Sequence, residues 1–129
     1  RGFKSHCPLH LKVSMEEDLS KKKCIPCEGN IPPFDYSEIH KYLKKVDGWD
    51  VEQDQNKSYF LIKEIKFSNF KDSQNFVNKV GDLAEKEGHH PDIIFGWGYA
   101  KIKIFTHAIS GLAESDFILA SKIDKLTNG

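Results

Sequence analysis

His89 and His90 stand side by side, locked by Pro91, and a third histidine, His107, closes the next apolar run. Two imidazoles in opposite protonation states make an acid/base pair that works near neutral pH without a metal. That is chemistry suited to adding or removing water. Glu85 precedes His89 by four residues, one helical turn, and could hold that ring's other nitrogen. Asp116 falls in the first turn of a predicted helix, where the helix dipole favours a carboxylate, and could orient His107. His6, His10 and His40 have no such surroundings and read as structural histidines.

The elements that must position these groups are legible from spacing. Asp35 suits the N-cap of a helix from Tyr36 to Val46, with Ile39, Leu43 and Val46 on one stripe and Gly48 as its stop. From Trp49 the period becomes two. A short strand through Val51, a turn at Asp54 to Lys57 and a longer strand from Ser58 to Phe67 predict a β-hairpin. Ser68 or Asn69 caps a second helix, with Phe70, Phe76, Val77, Val80, Leu83 and Ala84 as its apolar stripe and Gly88 as its stop. Strands from Asp92 to Trp97 and from Lys101 to Thr106 follow, then a helix from about Glu114 to Leu126 that buries Phe117, Ile118, Ala120 and Ile123. The order α-β-β-α-β-β-α predicts an α+β fold: a four-stranded antiparallel sheet with three helices on one face and the other face left for a ligand. In it the His89/His90 corner, the Trp97 turn and the His107 strand end form one neighbourhood, with His89 and His107 across a common cleft.

The chain has 129 residues, room for one core, with 19 basic and 19 acidic residues that cancel. A zero net charge removes the attraction on which non-specific nucleic-acid binding relies. The longest apolar runs fall far below the roughly 20 residues that cross a bilayer, so neither nucleic acid nor membrane is an expected partner. Residues 1–33 are polar and broken by Pro8, Pro26, Gly29, Pro32 and Pro33, and read as an irregular leader and head before a domain at 34–129. Cys7, Cys24 and Cys27 all lie in that head, which fits a reducing compartment, the cytoplasm, or an organelle if the basic residues 1–14 are a native leader rather than a cloning remnant. Cys7, His10, Cys24 and Cys27 form a C-x2-H and a C-x2-C pair that could hold a structural zinc; a Cys24–Cys27 disulfide or free thiols are the alternatives.

Glu85-x3-His89-His90-Pro91, then Trp97, His107 and Asp116, closely resembles the signature of the pterin-4a-carbinolamine dehydratases. The likeness extends over Val46-Asp47-Gly48-Trp49 and Phe117 to Ser121, and the Cys24-Ile-Pro-Cys27 head is similar to that of plant and protist-like members. The resemblance implies the same fold and the dehydration of 4a-hydroxytetrahydrobiopterin to quinonoid dihydropterin during tetrahydrobiopterin recycling. It implies no required cofactor, the pterin being the substrate. His89 and His107 become the acid/base pair and His90 the residue that holds the pterin, the last two roles being exchangeable. Trp97 and Trp49 become walls for the flat ring, with Trp49 better suited to closing the core beside the first hairpin. Pro91 lines the site or only fixes the backbone there. Glu85 and Asp116 orient histidines. The family also implies a homodimer paired through sheet edges, or a tetramer, and an alternative role as the dimerisation cofactor of a transcription factor. Two positions depart from the family: Gly88 where an Asp often precedes His-His, and Ala113 where relatives place a capping Ser or Thr.

Overall fold

In a computed structural model, which describes residues 19–22 and 32–128, Asp35 opens the first helix, α1 (Tyr36–Leu43). Its carboxylate accepts from the Glu38 N–H while Glu38 reaches back to the Asp35 N–H, a reciprocal box worth roughly 1 kcal/mol. The helix ends at Leu43, short of the expected Val46, and Gly48 takes its positive φ (+80°) in the loop beyond. A tertiary pull overrides local propensity there. The buried Asp124 carboxylate accepts from the Asp47 N–H (2.9 Å), the Trp49 Nε1–H (2.8 Å) and the Lys63 ammonium (2.8 Å), drawing the loop onto the last helix.

Strands β1 (Asp50–Gln53) and β2 (Tyr59–Lys66) form the expected hairpin, its turn closed by the Asp54 carboxylate, which accepts from the N–H groups of Asn56 and Ser58. Asn69 caps α2 (Phe70–Glu87), which buries Phe76, Val80 and Ala84 as its spacing predicts. Phe70 is the exception in that stripe. Sitting at the helix's first position, it stays 44% exposed, and its ring lies 5.5 Å from that of Phe95. Strands β3 (Asp92–Gly96) and β4 (Tyr99–Ile104) make the second hairpin, and α3 (Glu114–Asn128) ends the fold.

The sheet is antiparallel throughout in the order β1-β2-β4-β3. Alternation sends Ala100, Ile102 and Ile104 of β4, with Leu61 of β2, into the helices, all fully buried. Each of the two isoleucines and the leucine contributes about 1.5–3 kcal/mol by leaving water. The three helices cover that one face, as the order of elements predicts. The last helix is more enclosed than a single stripe suggests: residues 114–121 are all buried, including Glu114, Ser115 and Asp116. A short turn in the head, Leu19–Lys21, packs against α3, with Leu19 buried and Lys22 paired to Glu114 at 2.9 Å. No helix among the described residues is long and apolar enough to cross a membrane.

Candidate active site

The histidine corner begins where α2 stops. Gly88 adopts a left-handed conformation (φ +70°), and its N–H and that of His89 both donate to the Ala84 carbonyl, at 2.9 and 3.2 Å. A side chain at this position would meet nothing within 4 Å, so the backbone angle alone favours glycine. The reversal takes His89 off the helix. The four-residue spacing that would have joined it to Glu85 therefore no longer applies, and Glu85 meets His90 instead, Oε2 to Nε2 at 2.6 Å. Both groups of that pair are exposed.

His89 turns toward the helix layer, where its Nε2 lies 2.7 Å from Asp116 Oδ1. Asp116 therefore orients His89 rather than His107. Its other oxygen accepts from the Thr106 hydroxyl (2.7 Å) and the Ala113 N–H (2.8 Å), and the residue is completely buried. The Ala113 bond replaces half of a capping box: the helix lacks a side-chain cap at Ala113, but Asp116 reaches back to satisfy that residue's backbone. With three donors converging on it, the carboxylate leaves His89 only one role at Nε2, that of donor. The lone pair of the neutral ring is then at Nδ1.

Thr106 stands outside the motif positions, and a threonine at a strand end gives no sequence sign of a partner ten residues on. It extends β4 and closes a tight loop with Gly111, through backbone bonds of 2.9 and 3.4 Å, and His107 starts the short helical turn inside it. The His107 ring is exposed and lies 4.3 Å from that of Phe105, on the face opposite to Thr106. His89, on the buried Asp116, and His107, beside Phe105, thus reach the open end of the second hairpin from its two faces rather than across the single cleft that the strand order predicts, with Thr106 and Asp116 between them. A substrate serving both must span that end.

The tryptophans lie elsewhere. Gly96 pairs with Tyr99, so Trp97 occupies the hairpin's turn, while Asp92 pairs with Lys103 at the end nearest the histidines. Within one chain the strand's length separates Trp97 from them, and its ring is 71% exposed. Trp49 belongs to the core beneath Lys63, its N–H spent on Asp124, and walls no cleft. Pro91 is partly buried at the entry to β3. Cys7, His10, Cys24 and Cys27 lie outside the described residues.

A second carboxylate, Glu114, enters the same end of α3. Its Oε2 accepts from Lys22 (2.9 Å) and from the Tyr42 hydroxyl (3.2 Å), while Oε1 is buried without a partner among the described residues. Burial, and then the charge of Glu114, push the Tyr42 phenol well above the ordinary tyrosine range.

Residues 32–126 match the pterin 4 alpha carbinolamine dehydratase family. Bacterial relatives carrying that enzyme's name are 45% identical in Rubrobacter xylanophilus over 109 residues, covering 84% of this chain and 98% of the relative. In Rickettsia bellii they are 50% identical over 111 residues, covering 85% and 95%. Both matches are longer than residue 32 to the C-terminus can supply, so they continue into the head. Among solved structures, a transcriptional coactivator/pterin dehydratase from Brucella melitensis shares the fold with a TM-score of 0.65 at 24% identity, covering 73% of this chain and 97% of that one. A pterin dehydratase-like protein, described as a RuBisCO assembly factor of the alpha-carboxysome, superimposes with a TM-score of 0.53 at 25% identity, covering 64% and 92%. With the motif carried on the fold that it implies, and sequence matches running through nearly the whole length of the relatives, the chain belongs to the pterin 4 alpha carbinolamine dehydratase family.

Proposed function

We propose that this chain dehydrates a 4a-hydroxytetrahydropterin by histidine acid/base catalysis, with tetrahydrobiopterin recycling as the setting. The reaction breaks the C4a–O bond and removes the proton of the neighbouring ring N–H; a C=N bond forms, and water departs with the second proton. His89 takes the nitrogen's proton at Nδ1, because Asp116 occupies its Nε2 side and stands opposite the positive charge that then forms. His107, exposed to solvent, donates to the departing hydroxyl, and His90, held by Glu85, steadies the ring. His90 and His107 can exchange these parts without altering the balance. The imidazoles move both protons themselves, so the scheme requires no cofactor.

The single observation that carries this reading is the 2.7 Å contact between His89 and a fully buried carboxylate. Its test is the rate of dehydration of freshly generated carbinolamine. Purified protein should accelerate the reaction, and His89→Ala and His107→Ala should each lose about 10²-fold or more. Protein that matches buffer alone would refute it.

A homodimer is proposed through β3. Of the two sheet edges, β1 is guarded by Asp50 and Glu52, whereas β3 leaves Ile94 59% exposed, with Trp97 at its end. The same exposed strand favours a second reading, an interaction module that acts as a dimerisation cofactor of a transcription factor. In that case the histidines would be dispensable, and the rate measurement separates the two.

A further inference from the structure

The sheet face away from the helices carries a row of side chains leading to His107. Lys103 and Phe105 share that face by alternation along β4, and Phe60 lies beside them on β2. The Lys103 ammonium sits 4.3 Å from the Phe60 ring centroid and 5.4 Å from that of Phe105, and the far neighbour of Phe105 is the His107 ring at 4.3 Å.

This lysine is only partly exposed, yet none of its three N–H donors meets an acceptor among the described residues. Asp92, its register partner on β3, makes no ion pair with it, and the nearby Glu64 is engaged by Lys66 at 2.9 Å. Two aromatic faces hold the cation in place and accept no conventional hydrogen bond. The result is a positioned donor beside an aromatic ring and a proton-transfer group. Neither tryptophan of the motif supplies an aromatic surface there.

We infer that Lys103 is a substrate-binding residue: its ammonium donates to the ring carbonyl of a flat heterocycle that rests on Phe105 within reach of His107. The inference builds on the dehydratase reading and adds a specificity group outside the histidine motif. A ring lying on Phe105 buries apolar area, while the carbonyl bond fixes which edge of the ring faces His107. An analogue lacking that carbonyl would leave the ammonium's donors unspent.

The test pairs two measurements on the full chain: binding of oxidised biopterin, an unreactive probe, by its fluorescence, and steady-state dehydration of carbinolamine. Lys103→Met keeps the aliphatic stem over both rings and removes the donors. It should weaken biopterin binding and raise KM, each about tenfold or more, with kcat within about twofold. Lys103→Arg, which retains donors over the aromatic faces, should recover most of the loss. Unfolding midpoints of both variants guard against a folding artefact, and Lys103→Gln serves if the Met variant does not fold. An active wild type whose Lys103→Met variant binds biopterin unchanged overturns this inference alone. A wild type that binds biopterin, loses it on Lys103→Met and yet accelerates no dehydration upholds Lys103 as a ligand residue and overturns the enzymatic reading. A wild type that neither binds biopterin nor accelerates dehydration overturns both.

Discussion

Replacing Asp116 by Asn changes one atom type at the most constrained point of the site. The Ala113 N–H is an obligate donor 2.8 Å from Oδ2, so the amide oxygen of the variant must stay on that side, where it also keeps the Thr106 hydroxyl. The amide NH2 is then forced toward His89 Nε2, which must become an acceptor. The imidazole proton moves to Nδ1, and the proposed base is lost from the atom assigned to the substrate. All three contacts survive in some form, so stability should change by only about 1 kcal/mol. Activity should not survive. General acid/base catalysis contributes about 10²–10⁴ in rate, and a comparable loss of tautomer control in a serine protease costs about 10⁴, so kcat should fall by about 10² to 10⁴. Stopped-flow kinetics on carbinolamine reads the rate, urea unfolding reads the stability, and ¹⁵N-resolved NMR of the His89 ring reads the tautomer directly. A folded Asp116→Asn protein retaining kcat within about threefold would refute the assignment of His89 Nδ1 as the base.

Three further expectations follow the same geometry. Thr106→Val removes a donor from the buried carboxylate at nearly constant volume; it should cost about 1–2 kcal/mol in urea unfolding and lower kcat roughly tenfold, while Thr106→Ser restores both, and a Val variant with wild-type kcat would free Thr106 from the site. The Tyr42 phenol is held protonated in the fold by burial and by Glu114, whereas in the unfolded chain it ionises near its ordinary value of 10.0. The native state therefore binds more protons above about pH 10, stability falls as pH rises past that point, and Tyr42→Phe should flatten the fall; equal alkaline slopes would count against it. Ile94→Lys places a charge on the exposed β3 edge, so sedimentation should find the wild type dimeric and the variant monomeric, and a monomeric wild type at tens of micromolar would sink the edge assignment.

Periodicity and turn residues carried the fold because each helix and strand buries a face whose spacing is local. The apolar alternation of Ile102 and Ile104 and the stripe Phe76, Val80, Ala84 are visible without tertiary knowledge. The end of α1 was not legible, since Asp124 draws in Asp47 and Trp49 from more than 70 residues away. The histidines themselves were legible as a motif, but their partners were not, and the reason is Gly88. Spacing along a helix pairs Glu85 with His89 only if the helix continues; a left-handed residue between them turns the chain so that Glu85 receives His90 and frees His89 for Asp116. One backbone reversal thus assigns the exposed carboxylate to one histidine and the buried one to the other. A carboxylate in water is screened and mobile, whereas one buried in the first turn of α3 and held by two other donors fixes a tautomer. That asymmetry, set by a glycine rather than by any ionisable group, is what separates the proton-transfer role proposed for His89 from the holding role proposed for His90.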